Sequence, residues 1–88
     1  MLTQKDLHNA FNYDPDTGQL TWRINKPNVK IGQIAGNAGN RNVNLGGYSL
    51  NVSRVIWCYV HGYWPKRMKN RSGNYTNLRL VNLYDPDL

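Results

Sequence analysis

Residues that favour turns recur throughout this chain, which contains 13 Asn and eight Gly among its 88 residues. Because both residue types readily leave helix and strand geometry, we expect many turns between short elements. Three Trp and six Tyr provide large apolar areas for burial, which indicates a folded chain. The length fits one small α+β domain over residues 1–88, with a helix and strands at 1–52, a helix-strand-turn-helix part at 53–84 and a tail at 85–88.

The N-terminal part is predicted to begin with a helix. Thr3 can cap this helix over Gln4–Phe11, because Asp6 three residues later supplies the second half of a capping box. The run Asp14–Gly18 combines Pro with Gly and indicates a turn. An alternation of apolar and polar residues over Leu20–Ile24 then predicts a strand.

The basic stretch Asn25–Asn42 is interrupted by one Pro and three Gly, so we predict an irregular loop with at most one short strand. Gly46 and Gly47 can both adopt the backbone angles of a two-residue hairpin turn. The residues on either side, Val43–Leu45 and Tyr48–Val52, are therefore predicted to pair as an antiparallel hairpin.

Helical periodicity begins near Ser53, which predicts a helix with Ser53 as its N-cap and Gly62 near its C-terminus. A basic strand and a turn at Ser72–Asn74 are expected to follow. The spacing of Leu80 and Leu83 then predicts a short final helix.

From Thr17 to Tyr84 the chain has no Asp or Glu, yet these 68 residues carry ten of its eleven Lys and Arg. Such a one-signed surface attracts polyanions, of which phosphate backbones are the commonest. The same absence removes the side chains that usually serve as general bases and hard-metal ligands. We therefore expect function through binding or through unusual chemistry, and we predict no catalytic residue, no metal site and no small-molecule cofactor.

Cys58 is the only cysteine, which excludes an internal disulfide and a zinc site built from cysteines. Met1–Ala10 is polar and charged, so no signal peptide is expected. The longest apolar stretch, Val55–Val60, has six residues and is too short to span a bilayer. These features predict a cytoplasmic protein without a membrane partner.

The segment Arg54–Pro65 resembles the helix that precedes the active motif in small phage HNH homing-type endonucleases. Tyr13–Gly18 and Leu20–Trp22 are similar to the N-terminal region of this family, and Gly32–Gly36 is similar to its glycine-rich segment. Arg79–Leu83 resembles the family's closing helix. The resemblance covers nearly the whole chain and implies a C-terminal ββα-metal unit. It also implies that the protein is located in the cytoplasm of an infected bacterial cell.

The chain departs from this family where the resemblance places the chemistry. The family's metal-binding aspartate and water-activating histidine correspond to Lys69 and Asn70. A histidine before the helix corresponds to Ser53, and an asparagine on the last helix corresponds to Leu78. A charged Lys has no lone pair for a metal ion, and an amide does not accept a proton near neutral pH. The resemblance thus implies a degenerate nuclease scaffold.

Four basic residues crowd into the six positions from Lys66 to Arg71, and no acid lies among them. We interpret this run as a phosphate-contacting surface that cations on the two C-terminal helices would widen. The predicted DNA-contacting residues are Arg54, Lys66, Arg67, Lys69, Arg71 and Arg79. The first hypothesis is therefore an inactive, HNH-derived phage protein that binds the backbone of duplex DNA.

A second hypothesis is a protein-binding inhibitor or adaptor directed at a host or anti-phage defence protein, such as a nuclease, a polymerase or a CRISPR effector. Aromatic anchors would then carry the contact, and the candidates are Tyr63, Trp64, Tyr75 and Tyr84. A third hypothesis is residual metal-dependent endonuclease activity. These classes predict different results, because DNA binding weakens steeply with salt whereas an inhibitor would capture a protein from nuclease-treated lysate.

Overall fold

The computed structural model describes residues 2–36, 41–74 and 77–88, and over these residues it contains two α-helices and seven short strands. In chain order the elements are α1 (Gln4–Ala10), β1 (Phe11–Asp14), β2 (Gln19–Trp22), β3 (Ile34–Gly36), β4 (Asn42–Leu45), β5 (Tyr48–Asn51), α2 (Val52–His61), β6 (Lys69–Asn70), a 3-10 turn (Leu80–Asn82) and β7 (Leu83–Tyr84). The predicted α+β fold is confirmed.

The strands pair in three small antiparallel sheets. β1, β2 and β3 form the first sheet in that order, β4 pairs with β5, and β6 pairs with β7. The β4–β5 hairpin turns at Gly46 and Gly47, which both have positive φ, as predicted. Among the described residues of the predicted loop 25–42 that precede β4, β3 is the one short strand.

The first helix is fixed by the predicted capping box. The Thr3 backbone N–H donates to Asp6 Oδ2 at 2.8 Å, and the Asp6 N–H donates to Thr3 Oγ1 at 3.3 Å. Donation from the Thr3 N–H, and from the Thr3 hydroxyl at 3.1 Å, to the Asp6 carboxylate lowers the pKa of Asp6. The helix ends at Ala10 rather than Phe11, because Phe11 begins β1 and pairs with Trp22 of β2. The prediction of helix at Phe11 is therefore wrong. Asp14 ends β1 and also begins the predicted turn, because its carbonyl accepts from the Gly18 N–H at 2.7 Å.

The second helix is capped by Asn51 and not by Ser53. Asn51 Oδ1 accepts from the backbone N–H of Ser53 at 3.1 Å and of Arg54 at 3.3 Å. The Ser53 hydroxyl donates to the same oxygen at 2.6 Å, so it supports the cap instead of forming it. The helix ends at Gly62 in the left-handed conformation, as predicted from sequence.

Buried apolar residues from both parts of the chain form one cluster. Leu7, Phe11 and Leu20 contribute from the N-terminal part, and Val55 and Ile56 contribute from α2. The radius of gyration is 12.1 Å. Within the described part of the chain, neither helix combines the length and apolar character that crossing a bilayer requires.

The predicted closing helix is a single 3-10 turn, Leu80–Asn82, after which the chain continues as β7. β7 pairs with β6, so that Leu83 lies opposite Asn70. Leu83 is buried by this pairing, whereas Val81 is 79% exposed. The three-residue spacing of the leucines imitates a helix, but strand pairing decides which of these side chains is buried.

The turn between β1 and β2 holds the segment that precedes this 3-10 turn. The Tyr13 hydroxyl donates to the Leu78 carbonyl at 2.5 Å, and the Leu80 N–H donates to the Pro15 carbonyl at 3.3 Å. Gly18, at φ 79°, packs directly on the Leu78 backbone. The turn therefore fixes the position of Leu78 relative to the rest of the fold.

Candidate functional site

A groove of about 340 Å³ lies where the N-terminus of α2 meets β6 and the segment that leads into it. Apolar side chains, including Met68, Leu78 and Leu83, form part of its lining. Five cationic residues also line it, and we call the surface that they form the basic groove: Arg41, Arg54, Lys66, Arg67 and Lys69.

The cations of the basic groove come from three separate places in the chain. Arg41 precedes β4, and its carbonyl accepts from the Val52 N–H at 2.7 Å, which fixes it beside the first residue of α2. Arg54 lies in the first turn of α2. Lys66 to Lys69 approach from the opposite side, on the segment that enters β6. The fold thus assembles a surface that no single stretch of sequence contains.

Arg54 joins the two sides of the groove. Its Nε donates to the Pro65 carbonyl at 3.0 Å, and Pro65 is fully buried. This hydrogen bond holds the start of the 66–70 segment against α2. Arg54 therefore has a structural role in addition to its charge.

Arg67 lies at the rim and forms an ion pair. Its Nη2 is 3.2 Å from Asp87 Oδ1, and the two side chains are 64% and 43% exposed. Solvent screens a pair of this kind strongly. No Asp or Glu is found among the described residues that line the groove, so Asp87 reaches Arg67 from a position outside the lining.

The positions that the family resemblance singled out converge on the same groove. The groove is lined by all four of these residues, which lie up to 25 residues apart in the sequence: Ser53, Lys69, Asn70 and Leu78. Asn70 Oδ1 is buried and has no hydrogen-bond partner among the described residues. The β6–β7 pairing places Asn70 opposite Leu83, and both residues line the groove.

These residues do not fit a divalent metal ion. The groove presents an ammonium, an amide, a hydroxyl and an isobutyl group where the resembling enzymes need carboxylate and imidazole ligands. Over residues 2–36, 41–74 and 77–88, no three His, Cys, Asp or Glu side chains come close enough to hold a metal.

Two of the predicted DNA-contacting residues lie outside the basic groove. The Arg71 guanidinium carbon is 5.0 Å from the centre of the Tyr84 ring, in a cation–π arrangement. Arg79 is exposed in the segment that packs on Gly18. The other four predicted residues line the groove, and Arg41 is the cation that the sequence analysis missed. No local signal marks Arg41, because its place depends on the hairpin and on α2.

The proposed protein-contact anchors differ in their accessibility. Tyr63 is 39% exposed, and its hydroxyl accepts from Trp57 Nε1 and donates to Asp85 Oδ2, both at 2.9 Å. Burial, together with the bond to Asp85, raises the pKa of Tyr63. Trp64 and Tyr84 are half-buried. The fourth candidate, Tyr75, lies outside the described residues.

Asn82 is a structural residue that the sequence analysis missed. It is buried, its Oδ1 accepts from the Ser72 N–H at 3.0 Å, and its Nδ2 donates to the carbonyls of Asn77 at 2.8 Å and Asn74 at 3.4 Å. Its own carbonyl accepts from the Arg71 N–H at 2.7 Å. Asn82 thereby connects the loop after β6 with the start of β7.

Replacing Asn82 with Leu keeps a side chain of similar volume but removes the three side-chain hydrogen bonds. We expect a loss of about 1–3 kcal/mol in the free energy of unfolding, because part-buried backbone groups of Ser72, Asn74 and Asn77 lose their partners. Urea unfolding followed by circular dichroism measures this change. Asn12→Leu, at an exposed position of β1, is the control, and an equal loss in both variants would contradict the role given to Asn82.

No family model matches this chain, and neither a curated protein nor a solved structure matches it. The resemblance to HNH endonucleases therefore stays a prediction from the sequence motifs.

Proposed function

We propose that this chain binds the phosphate backbone of duplex DNA through the basic groove and does not cleave it. The observation that carries the proposal is the convergence of five cationic residues, from three parts of the chain, on one groove with no acidic lining residue among those described. Cations held close together on one surface attract a polyanion more strongly than the same charges spread over the protein. The HNH resemblance directs the proposal towards duplex DNA.

The proposal assigns different tasks to the groove residues. Lys66, Arg67 and Lys69 are exposed and supply the phosphate contacts. Arg54 holds the 66–70 segment through Pro65 and adds charge at the N-terminus of α2. Lys69 also replaces the metal ligand of the resembling enzymes, so one substitution removes metal affinity and adds phosphate affinity.

Fluorescence anisotropy with a labelled 20-base-pair duplex tests this function. If three to five groove cations contact phosphates, the logarithm of the association constant should fall with the logarithm of salt concentration with a slope of roughly −3 to −4.5. Binding should differ little between unrelated duplex sequences, because backbone contacts carry no base information. A slope near zero would contradict the proposal.

Two further measurements separate the competing functions. Incubating plasmid with the protein and Mg²⁺, Mn²⁺ or Zn²⁺ should leave the plasmid intact, and metal-dependent nicking would contradict the absence of cleavage. A pull-down from infected-cell lysate, with and without nuclease treatment, should recover proteins only through shared DNA. Stoichiometric capture of one protein after nuclease treatment would favour the inhibitor hypothesis instead.

A further inference from the structure

The acidic tail that follows β7 is fixed to the body of the protein by side chains. Asp85 Oδ2 accepts from the Tyr63 hydroxyl at 2.9 Å, and that hydroxyl accepts from Trp57 Nε1 of α2 at 2.9 Å. Within the tail, the Asp87 N–H donates to Asp85 Oδ1 at 2.9 Å, and the Leu88 N–H donates to the Asp85 carbonyl at 3.3 Å. Asp85 therefore places Asp87 at a defined position.

That position is beside the basic groove. Asp87 Oδ1 is 3.2 Å from Arg67 Nη2, and Arg67 also lines the groove. Asp85 and Asp87 are the only acids that follow Asp16 in the sequence. The fold thus brings Asp87, one of these two acids, into contact with Arg67, which the proposed function describes as a phosphate-binding residue.

We propose that the Asp87 carboxylate competes with DNA phosphate for Arg67 in the basic groove. DNA phosphate must then displace Asp87 from Arg67 when it binds. This inference rests on the proposed function and names a regulation of the same site. A carboxylate and a phosphate present similar oxygens to a guanidinium, so both compete for the same N–H donors. An exposed ion pair is weak, so a phosphate backbone can displace the carboxylate.

Displacement has a structural consequence at some distance from Arg67. The Asp87 backbone is hydrogen-bonded to Asp85, and Asp85 is linked through Tyr63 to the Trp57 indole. Movement of the tail would therefore alter the environment of the Trp57 N–H. The Trp64 N–H donates to the Leu2 carbonyl instead, so it should not respond.

The first test compares Asp87→Asn with Asp16→Asn in the duplex-binding experiment. Both variants remove one negative charge, but Asp16 lies in the turn between β1 and β2. We expect Asp87→Asn to bind about twofold to fivefold more tightly than the wild-type protein at low salt. Its salt slope should stay close to the wild-type slope, because Arg67 contacts a phosphate in both complexes and the number of released counterions is the same. Asp16→Asn should remain close to the wild-type values.

The same substitution in an Arg67→Gln background tests whether the effect passes through Arg67. The double variant Arg67→Gln/Asp87→Asn should bind no more tightly than Arg67→Gln alone. Without the Arg67 guanidinium, removing the Asp87 carboxylate frees no cation for phosphate. In ¹H–¹⁵N spectra, adding duplex to the wild-type protein should shift the Trp57 indole signal and leave the Trp64 signal in place.

The possible outcomes separate the two proposals. Salt-dependent DNA binding that is equal in the wild-type protein and Asp87→Asn would overturn the competition and leave the proposed function standing. Equal tightening by Asp16→Asn would also overturn it, because the effect would then reflect net charge. Absence of binding by both the wild-type protein and Asp87→Asn would overturn the proposed function and the competition with it.

Discussion

Replacing Lys66, Arg67 and Lys69 together with Gln is expected to weaken duplex binding by roughly 50- to 500-fold at 0.1 M salt. Each phosphate contact releases about 0.9 counterion, which at this salt concentration is worth up to about eightfold in affinity. Three lost contacts therefore multiply to the upper figure, and the ion pair of Arg67 with Asp87 reduces the total. The slope of affinity against salt should become less steep by about 2–3 units.

A matched control variant also removes three positive charges, but from positions outside the basic groove. Lys5, Arg23 and Lys30 are exposed and lie outside the lining of the basic groove. Their joint replacement with Gln should change affinity by less than about fivefold, because only the long-range field is reduced. Equal losses in the two triple variants would contradict a defined groove, and thermal unfolding of both proteins checks that each remains folded.

Gly18→Ala is expected to lower the free energy of unfolding by about 2–5 kcal/mol, from strain at positive φ together with overpacking. Gly18 has φ 79°, and a Cβ atom there would lie 2.6 Å from both Arg79 N and the Leu78 carbonyl carbon. These are backbone atoms, so they cannot rotate away as the end of a side chain can. A domain of this size has a total stability of roughly 5–10 kcal/mol, so the loss would be a large fraction of it.

Gly47→Ala separates the cost of strain at positive φ from the cost of overpacking. Gly47 has φ 82° in the β4–β5 hairpin, and a Cβ atom added there would have no neighbouring atom within 4 Å. This variant should therefore lose about 1–2 kcal/mol, the cost of the left-handed conformation alone. Urea unfolding of both variants measures the difference. Equal losses would mean that the segment at Leu78 moves away from Gly18 without resistance.

The local elements of this fold follow closely from local sequence. Thr3 and Asp6 form the capping box that their spacing predicts, and Gly46 and Gly47 form the predicted hairpin turn. Gly62 ends α2 as expected. These elements depend on hydrogen bonds and backbone preferences within a few residues, so the sequence contains the information that determines them.

The errors occur where a distant contact outweighs the local preference. Phe11 continues the helical pattern of α1 but pairs with Trp22 in the first sheet. Leu80 and Leu83 have helical spacing, but Leu83 joins β7 opposite Asn70. In both places burial against another strand outweighs a weak local preference.

The candidate site divides in the same way. The charge run from Lys66 to Lys69 is read directly from the sequence, because residue identity decides it. The sequence analysis grouped Arg54 with this run but missed Arg41, and it did not separate Arg71 from the groove, because those positions depend on the packing of α2 and on the ring of Tyr84.

The sequence by itself determined the charge of this protein: a stretch from Thr17 to Tyr84 that has no Asp or Glu and carries ten of the eleven Lys and Arg. The tertiary structure decided which charges act together. The Asn51 cap, the bond from Arg54 to Pro65 and the pairing of β6 with β7 bring cations from three segments around one groove. The physical reason is that charge is a property of each residue, whereas the distances between charges depend on contacts made across the whole chain.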